Sequence, residues 1–320
     1  MSKMRIAHLR KAHEFVVEEA QRPEPNDQQV LIKVTACGVC KGDFDTWNDK
    51  NGSYPLEPGS PGHETYGYIE KRGKSVTSVE VGDVVTAITF PGYGYAEYAI
   101  ANADEVVKLP PGLKDQVILG EPLACALNGA RKTQIRVGDS VLVIGVGFMG
   151  ALMLKMLRNS GAAPLIAADI SDYNRELARK NGADIVIDPS SEDYMAIIKS
   201  CTGGRGVDVA IEATGLQPAL DIATDAVRIK GTISIYGYHT GGKRTINLER
   251  WNWKALTVVN AHERDTPVYV DGMRRAISLL QYGWLKFDLI THEFSLDGIN
   301  QGFEIIRQRP RGYIKAIIRP

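Results

Sequence analysis

The chain is poor in cysteine and lacks any apolar run long enough to cross a bilayer. Its 320 residues include four cysteines, and the N-terminal segment MSKMRIAHLRKAHEF has no apolar core of the kind that a secretory signal needs. We therefore expect thiols or metal ligands rather than a disulfide framework. The longest stretch of apolar and glycine residues, at 141–154, is shorter than the ~20 residues of a membrane helix. We expect a cytoplasmic protein without a membrane partner.

An excess of charge of either sign is also absent. Lys and Arg together number 38, as do Asp and Glu, so no whole-molecule field favours nucleic acid or an anionic membrane. The hydrophobic fraction of 44% and the charged fraction of 24% are those of an ordinary globular protein. The length predicts about two domains. We therefore expect a small-molecule partner and no nucleic acid.

The first part of the chain has the pattern of short strands. From residue 3 to about residue 119, β-branched and aromatic runs such as residues 29–35, 83–88 and 95–100 alternate with Gly and Pro. No helix-length periodic pattern interrupts these runs. A β-barrel-like domain is therefore predicted here.

The pattern changes after Gly120. Apolar segments at residues 141–144, 165–168, 185–187, 207–211, 232–236 and 256–259 alternate with helical segments at 149–159, 171–181, 193–201 and 218–228. This alternation predicts a parallel sheet covered by helices on both faces, the doubly wound Rossmann arrangement of an α/β protein. Beyond residue 260, helices near 271–281 and 296–307 and a strand at 313–318 fit either domain by periodicity.

A glycine motif marks the start of the doubly wound segment. Residues 141–150, VLVIGVGFMG, place G-x-G-x-x-G directly after an apolar strand and at the start of a helix. The first glycine permits a tight turn, the second lets a pyrophosphate approach the backbone, and the third lets helix and strand pack closely. The helix N-terminus offers free N–H groups to the phosphates. The predicted cofactor-binding residues of this loop are Gly145, Gly147, Phe148, Met149 and Gly150.

Asp169 ends the next apolar segment, 19 residues after Gly150 (169 − 150). An acid about 20 residues beyond the motif binds the ribose hydroxyls in dinucleotide sites. Its carboxylate would repel a 2′-phosphate, and the loss of a charge-assisted hydrogen bond costs about 1.5–3 kcal/mol, or roughly 10- to 150-fold. NAD is therefore predicted over NADP, although the nearby Arg175 would soften the preference. A glycine turn that binds another ligand is the alternative.

Cys37 and Cys40 form a C-x-x-C pair after the strand predicted at residues 29–35. Such a pair is half of a zinc knuckle or a redox couple. No second C-x-x-C occurs in the sequence, which excludes a structural zinc held by two such pairs. A redox couple would be expected at a helix start in a thioredoxin-like context, whereas this pair follows a strand of the β-rich segment.

The residues around this pair resemble those of zinc-containing medium-chain dehydrogenases/reductases, a family of alcohol and polyol dehydrogenases. The segments that carry the resemblance are ACGVCKGD at 36–43, GHE at 62–64, GDVV at 82–85, GEPLAC at 120–125, ITHEF at 290–294 and GYIKAII at 312–318. GEPLAC is similar to the segment that supplies the third zinc ligand in polyol and sugar dehydrogenases. The resemblance implies a GroES-like catalytic domain at residues 1–122 and 261–320, with the Rossmann domain at 123–260.

The resemblance also implies a set of site residues. Cys40, His63 and Glu121 would hold one catalytic zinc and leave a position open for substrate. Asp43 would orient His63, and Glu64 would lie behind the metal. For Cys40 and His63, a buried thiol and a satisfied core histidine are the alternative.

Two features depart from the family pattern. Residues 90–97, FPGYGYAE, contain none of the four cysteines that commonly hold a structural zinc there, so one zinc per chain is expected. Gly42 stands where most members have a Ser or Thr whose hydroxyl passes the alcohol proton outward. Asp45 stands where several members have a relay histidine, so we hypothesise that it accepts the proton through water or the cofactor ribose. Cys37 and Cys125 would be thiols that do not bind the metal.

The reaction that the resemblance implies is hydride transfer from an alcohol to NAD, with zinc acting as a Lewis acid. The third-ligand segment favours polyol, sugar or cyclitol substrates by analogy. The candidate substrate-contacting side chains are Trp47, Phe90 and Tyr93, with Trp251, Trp253, His262 and Arg264 from the later half of the chain. Lys315 is a candidate contact of the cofactor pyrophosphate. A homodimer or homotetramer is expected, with the edge strand near residues 256–259 as one contact.

Three other functions are compatible with parts of this pattern. A zinc-free NADPH quinone or enoyl reductase would share the fold but have no use for Cys40, His63 and Glu121. A non-catalytic nucleotide-binding protein would bind NAD without turning over an alcohol. A redox protein would depend on Cys37 as well as Cys40, whereas a dehydrogenase would tolerate the loss of Cys37.

Overall fold

The computed structural model describes residues 2–89 and 93–320. The chain divides into two compact units, one formed by the chain up to Ala124 with Asp265–Pro320 and the other by Cys125–Arg264. Each unit has its own hydrophobic core. Among the helices in the described ranges, none is both long enough and apolar enough to cross a membrane.

The regular elements are short, as in most two-domain enzymes. The strands are β1 (Lys3–Lys11), β2 (Glu14–Gln21), β3 (Gln29–Gly38), β4 (Glu64–Arg72), β5 (Val84–Ile88), β6 (Tyr98–Asn102), β7 (Val106–Lys108), β8 (Val141–Ile144), β9 (Leu165–Ala168), β10 (Ile185–Ile187), β11 (Val207–Glu212), β12 (Val227–Ile235), β13 (Thr257–Asn260), β14 (His292–Ser295) and β15 (Ala316–Arg319). The α-helices are α1 (Lys41–Asn48), α2 (Gly120–Thr133), α3 (Phe148–Leu157), α4 (Asp172–Lys180), α5 (Tyr194–Cys201), α6 (Gln217–Ala226), α7 (Leu248–Trp253), α8 (Thr266–Gln281) and α9 (Ile299–Gln308), with 3₁₀ turns at Ala103–Glu105, Pro111–Leu113 and Leu296–Gly298.

The first unit is built on a seven-stranded sheet. Its order is β14-β15-β3-β4-β5-β7, and β6 pairs with β3. All pairs are antiparallel except β14 and β15, and β1 and β2 form a separate antiparallel pair. The returning segment belongs to this unit because β15 pairs with β3 at Ile318 and Cys37. Among its described residues, one core lies between the strands around Ile32, another lies around Tyr95 and Phe303, and a smaller cluster is formed by Met4, Ile6 and Ala96.

The first unit also contains a helix, α1, for which the sequence shows no helix-length periodic pattern. This helix has eight residues, too few for a periodic pattern to stand out in the sequence. It forms because Asp43 accepts a hydrogen bond from the backbone N–H of Cys40, and because Phe44 and Trp47, three residues apart, bury one face in the core. α1 follows β3 directly and sets the position of Cys40.

The second unit confirms the α/β prediction. Its six strands are all parallel in the order β10-β9-β8-β11-β12-β13, which is the doubly wound order of dinucleotide-binding folds. Strands β8, β9 and β10 have the predicted bounds. The helix predicted at 218–228 instead ends at Ala226, because Val227 pairs with Val207 and begins β12. The strand order reverses between β8 and β11, where such folds bind their ligand at the carboxyl ends of the strands.

Candidate functional site

The first unit brings a thiol, an imidazole and a carboxylate together at the ends of neighbouring strands. Cys40 caps α1 just after β3, and His63 and Glu64 stand at the start of β4, which pairs antiparallel with β3. The potential ligand atoms of these three side chains all lie within 4.8 Å of one another. Two polar segments that are distant in sequence therefore meet at one edge of the sheet.

The imidazole of His63 is fixed by a buried carboxylate. Its Nδ1 lies 3.2 Å from Oδ1 of Asp43 and 3.0 Å from the carbonyl oxygen of Pro61. Asp43 is 2% exposed, and its other oxygen accepts hydrogen bonds from the hydroxyl of Tyr95 at 2.6 Å and the N–H of Cys40 at 3.1 Å. With Nδ1 engaged in this way, Nε2 is the nitrogen left to ligate a metal. The predicted orienting role of Asp43 rests on these contacts.

In the metal-free site, the same contacts shift the pKa values of His63 and Cys40. Burial lowers the pKa of His63, but Asp43 and Cys40 raise it by more, so that it lies well above its ordinary value. Burial raises the pKa of the Cys40 thiol, and His63 offsets part of that rise. A bound cation would replace these protons, since thiolate and neutral imidazole are the ligating forms.

The negative charge of Glu64 is balanced by a buried lysine, Lys315, which is also the candidate contact of the cofactor pyrophosphate. Glu64 is 1% exposed and Lys315 is 3% exposed, and Nζ of Lys315 lies 2.7 Å from both carboxylate oxygens. Burial lowers the pKa of Lys315, but Glu64, together with Cys40 and Tyr313, raises it by more, so the ammonium stays charged. Lys315 therefore neutralises the carboxylate beside Cys40 and His63, and its contact with the cofactor pyrophosphate stays a prediction.

Glu121 lies in the first turn of α2, outside the group of three close ligand atoms. The start of this helix is tied to the sheet, because the N–H of Gly120 donates to Oγ1 of Thr86 at 2.8 Å. Thr86 lies on β5 and donates in turn to the carbonyl of Thr65, the residue after Glu64, at 3.1 Å. These bonds hold the first turn of α2 in the same part of the unit as Cys40 and His63.

The free thiols and the predicted relay acid occupy ordinary positions. None of the four cysteines forms a disulfide, and Cys37 is fully buried on β3, where burial raises its pKa. Asp45 lies on α1 and pairs with Lys41 one turn earlier. A Cβ built at Gly42 would meet only Sγ of Cys40 within 4 Å, at 3.9 Å. There is thus room at position 42 for the hydroxyl that this chain lacks.

Two of the aromatic candidates for a substrate pocket, Trp47 and Tyr93, pack against hydrophobic residues in the structure. Trp47 is 2% exposed, stacks on the ring of His13 at 4.6 Å and packs against Phe303, so it belongs to the core. Tyr93 packs against the small cluster of Met4, Ile6 and Ala96. The candidate Phe90 lies outside the described residues. Neither Trp47 nor Tyr93 is placed at the metal-binding group by these contacts.

The glycine loop of the second unit has the backbone that the motif requires. Gly145 has φ of +89°, a left-handed conformation that favours glycine at the turn after β8. A Cβ at Gly150 would lie 1.9 Å from the carbonyl oxygen of Gly145, so only glycine allows α3 to pack this closely. Gly147 caps α3, and a Cβ there would meet nothing within 4 Å. Phe148 and Met149 form the first turn of that helix.

Asp169 faces this loop from the end of β9. Its Oδ2 accepts a hydrogen bond from the N–H of Val146 at 2.6 Å, and its Oδ1 accepts one from the N–H of Ser171 at 2.8 Å. Arg175 donates to the carbonyl of Asp169 at 2.9 Å and pairs with Asp188 at 3.1 Å. The guanidinium is therefore partly engaged, which reduces its capacity to accommodate a 2′-phosphate.

Sequence reasoning missed two parts of the site. Tyr95 reaches Asp43 across 52 residues, and Lys315 reaches Glu64 across 251 residues. No spacing in the sequence links either pair. A buried lysine within an apolar strand-like run, residues 313–318, is the one signal that could have indicated a charged partner for Lys315.

Comparisons with known proteins match both units. Residues 26–111 match the alcohol dehydrogenase GroES-like domain, and residues 145–280 match the zinc-binding dehydrogenase domain. An L-threonine 3-dehydrogenase of Pyrococcus horikoshii is 32% identical over 94% of both chains, and a sorbitol dehydrogenase of Halalkalibacterium halodurans is 30% identical over 96% of both. A crystal structure of a zinc-binding dehydrogenase from Sinorhizobium meliloti bound to NADP is 25% identical, with a TM-score of 0.84 over the whole of both chains.

These similarities cover essentially the full length, and they join a GroES-like unit to a doubly wound unit in the order found here. The resemblance predicted from the short motifs is confirmed. The chain is an oxidoreductase and belongs to the zinc-containing medium-chain dehydrogenase/reductase family of alcohol dehydrogenases.

Proposed function

We propose that the protein is a dehydrogenase with one catalytic zinc that oxidises an alcohol group of a polyol, sugar, cyclitol or related hydroxylated compound with NAD. The observation that carries the proposal is the convergence of Cys40 and His63, with Asp43 bound to the far nitrogen of the imidazole. The sorbitol and threonine dehydrogenases among the relatives act on compounds with more than one polar substituent, which is consistent with this substrate class.

The donor set fits zinc better than a hard cation. A thiolate and an imidazole with a carboxylate are ligands that zinc accepts, whereas magnesium and calcium prefer oxygen ligands alone. We assign Cys40, His63 and Glu121 as the ligands. The carboxylate of Glu64 lies in the close group with Cys40 and His63, but its negative charge is already balanced by Lys315. This balance favours Glu121 as the third ligand and Glu64 as the group behind the metal.

When bound, zinc supplies Lewis-acid chemistry that lowers the pKa of an alcohol hydroxyl, and NAD takes up the hydride. Residues of this chain orient the histidine ligand and bind the cofactor. Asp43 holds the ring of His63 in one tautomer and orientation. The N–H groups at the start of α3 would hold the cofactor phosphates, and the carboxylate of Asp169, which accepts a hydrogen bond from the N–H of Val146, would accept hydrogen bonds from the ribose.

The alcohol proton needs a route that does not use a side chain at position 42. We propose that Asp45 accepts it through water or the cofactor ribose, because Asp45 lies one turn after Cys40 on the same helix. Its carboxylate lies in ion-pair contact with Lys41 at the start of the same helix.

We also propose a homodimer or homotetramer. β13 is the outer strand of the parallel sheet, and three of its four residues are exposed. An exposed edge with Val258 on it can pair with the same strand of a second copy about a two-fold axis. Size measurement in solution tests this assembly directly.

Variants of the proposed ligand residues test whether these residues hold zinc. Purified protein is expected to contain one zinc per chain, and Cys40→Ser or His63→Gln should lose both zinc and at least about 10³-fold in kcat/KM for NAD reduction. Metal analysis and a spectrophotometric screen of polyols, sugars and cyclitols measure the two losses. Cys201→Ser, a thiol on α5 in the other unit, is the matched control and should change neither.

Two glutamate variants separate the third ligand from its neighbour. Glu121→Gln should release zinc, whereas Glu64→Gln should retain it with altered activity. Zinc retained in Glu121→Gln and lost in Glu64→Gln would reverse the assignment. Full activity in protein that holds no metal would contradict the proposed function.

A further prediction concerns Asp43, the carboxylate that contacts Nδ1 of His63. Asp43→Asn should weaken zinc binding by about 10- to 100-fold, because an amide no longer fixes the imidazole with a negative charge. Competition against a chelator measures the affinity. Asp45→Asn on the same helix should leave the zinc affinity unchanged, and Tyr95→Phe should have a smaller effect than Asp43→Asn because it removes one hydrogen bond to Asp43. Equal affinity in wild type and Asp43→Asn would refute the orienting role.

The third prediction concerns cofactor choice. Wild-type protein should use NAD in preference to NADP, and Asp169→Asn should reduce that preference by about 10- to 150-fold. Ratios of kcat/KM for the two cofactors measure the effect. Asp172→Asn removes a nearby exposed charge on α4 and should leave the ratio as it is. A wild-type preference for NADP would overturn the assignment.

The fourth prediction concerns the proton route. Asp45→Asn should lower kcat by about 10²-fold and flatten its dependence on pH, since a positioned general base contributes about 10²–10⁴-fold. Gly42→Ser in the Asp45→Asn background should restore much of the rate, because the structure has room for the hydroxyl beside Cys40. An unchanged rate and pH profile in Asp45→Asn would show that this carboxylate is a bystander.

A further inference from the structure

The loop that follows β12 in the second unit is held by hydrogen bonds rather than by burial. Between residues 241 and 250, every side chain is exposed except that of Arg244, which is partly buried. Apolar packing therefore cannot fix this segment. Its position is determined by the contacts of Arg244, together with two hydrogen bonds of 2.8 Å between the amide of Gln217 and the backbone of Thr245.

The guanidinium of Arg244 uses all of its donors within the second unit. Its Nε donates to Nδ1 of His239 at 3.1 Å. Its terminal nitrogens donate to four backbone carbonyls, those of Gly215 at 2.8 Å, Thr240 at 2.9 Å, Gly242 at 3.2 Å and Lys243 at 3.3 Å. A guanidinium has five N–H groups, so each of them has an acceptor. Because Gly215 belongs to the loop after β11, one side chain joins the loops that follow two neighbouring strands.

His239 continues this chain of contacts to a buried carboxylate at the end of β11. Since Nδ1 of its ring accepts the hydrogen bond from Arg244, the ring proton is on Nε2, which lies 2.8 Å from Oε2 of Glu212. Glu212 has no exposed surface, and its Oε1 accepts hydrogen bonds from the N–H groups of Thr214 at 2.6 Å and Gly215 at 2.9 Å. A buried carboxylate requires such donors, so the loop after β11 folds around Glu212.

The loop after β11 also lies against the glycine loop that follows β8. A Cβ built at Gly145 would lie 2.3 Å from Cγ2 of Thr214. A Cβ built at Gly237, the second residue after β12, would lie 2.3 Å from the backbone nitrogen of Gly215. Glycine at these two positions therefore lets the loops at the carboxyl ends of β8, β11 and β12 contact one another.

The place of these loops in the sheet indicates which part of a dinucleotide they serve. In a doubly wound sheet, the halves on the two sides of the strand reversal bind the two mononucleotide portions of the cofactor. The glycine loop and Asp169 belong to the half formed by β8, β9 and β10. The loops that Arg244 joins follow β11 and β12, which belong to the other half and therefore serve the nicotinamide portion.

We propose that Arg244 is a positioning residue for the nicotinamide portion of the cofactor and that it acts through His239 and the loops after β11 and β12. The inference rests on the proposed function. The guanidinium does not itself bind the cofactor, because its donors are all used within the loops. It keeps an exposed loop in one arrangement before the cofactor arrives, and a site that is correctly arranged for only part of the time binds its ligand more weakly in proportion.

The test separates the two portions of the cofactor by comparing the Kd of NADH with the Kd of ADP, which has the adenosine and pyrophosphate but no nicotinamide. Arg244→Gln should raise the Kd of NADH by about 10-fold and change the Kd of ADP by less than about 2-fold. Titration of the nicotinamide fluorescence measures NADH, and calorimetry measures ADP. A general loss of stability in the second unit would weaken both ligands alike.

Two further variants separate the contacts of Arg244 from its charge. Arg244→Lys keeps the charge but has three donors and no planar fork, so it should weaken NADH binding as Arg244→Gln does. Lys243→Gln removes an exposed charge from the same loop and is the matched control, which should change neither Kd.

Variants of His239 test the same chain of contacts and remain informative if Arg244→Gln does not fold. His239→Leu should weaken NADH binding selectively, and His239→Gln should do so by less because its amide can both donate and accept a hydrogen bond. Combining His239→Leu with Arg244→Gln should raise the Kd of NADH by less than the product of the two single effects, because both act on one network.

An Arg244→Gln variant that binds NADH as tightly as wild type, or that loses NADH and ADP alike, would overturn this inference and leave the proposed function standing. An equal loss of NADH binding in Lys243→Gln would also overturn it, since charge alone would then explain the effect. A wild type that binds neither NADH nor ADP would overturn the proposed function as well.

Discussion

A single buried carboxylate determines the geometry of the metal-binding group. Asp43 is almost without solvent exposure, and a buried negative charge is tolerated only when donors surround it. Those donors are the N–H of Cys40, the hydroxyl of Tyr95 and the ring of His63, from three separate segments of the first unit. Satisfying this one charge starts α1, anchors a core tyrosine and turns the imidazole so that Nε2 is available.

A second buried charge is balanced independently. Glu64 follows His63 directly and would repel the charge of Asp43 and a thiolate at Cys40 if it were uncompensated. Lys315 from β15 supplies the compensation, and this pairing requires that the C-terminal segment return to the sheet of the first unit. The metal-binding group therefore depends on both ends of the chain, while the glycine loop is formed within β8, α3 and the end of β9.

The difference between long-range contacts in the metal-binding group and local contacts in the glycine loop explains which parts of the structure could be predicted from the sequence. The doubly wound unit is encoded by local periodicity and a local motif, and β8, β9 and β10 appear at the predicted residues. The ligand candidates Cys40 and His63 came from short motifs and do meet in space. Tyr95 and Lys315 could not be predicted, because their contacts depend on strand pairing over long separations. For Trp47 the residue type alone is compatible with either a substrate pocket or the core, and only the structure shows that helical spacing with Phe44 directs the side chain into the core.

We propose above that Cys40, His63 and Glu121 hold one zinc ion. X-ray absorption at the zinc edge of the purified protein tests it most directly. We expect one sulfur at about 2.3 Å and the other ligands, nitrogen and oxygen, at about 2.0–2.2 Å, with the sulfur contribution absent from Cys40→Ser reconstituted with zinc. A shell of several sulfurs, or a sulfur contribution that persists in Cys40→Ser, would contradict it.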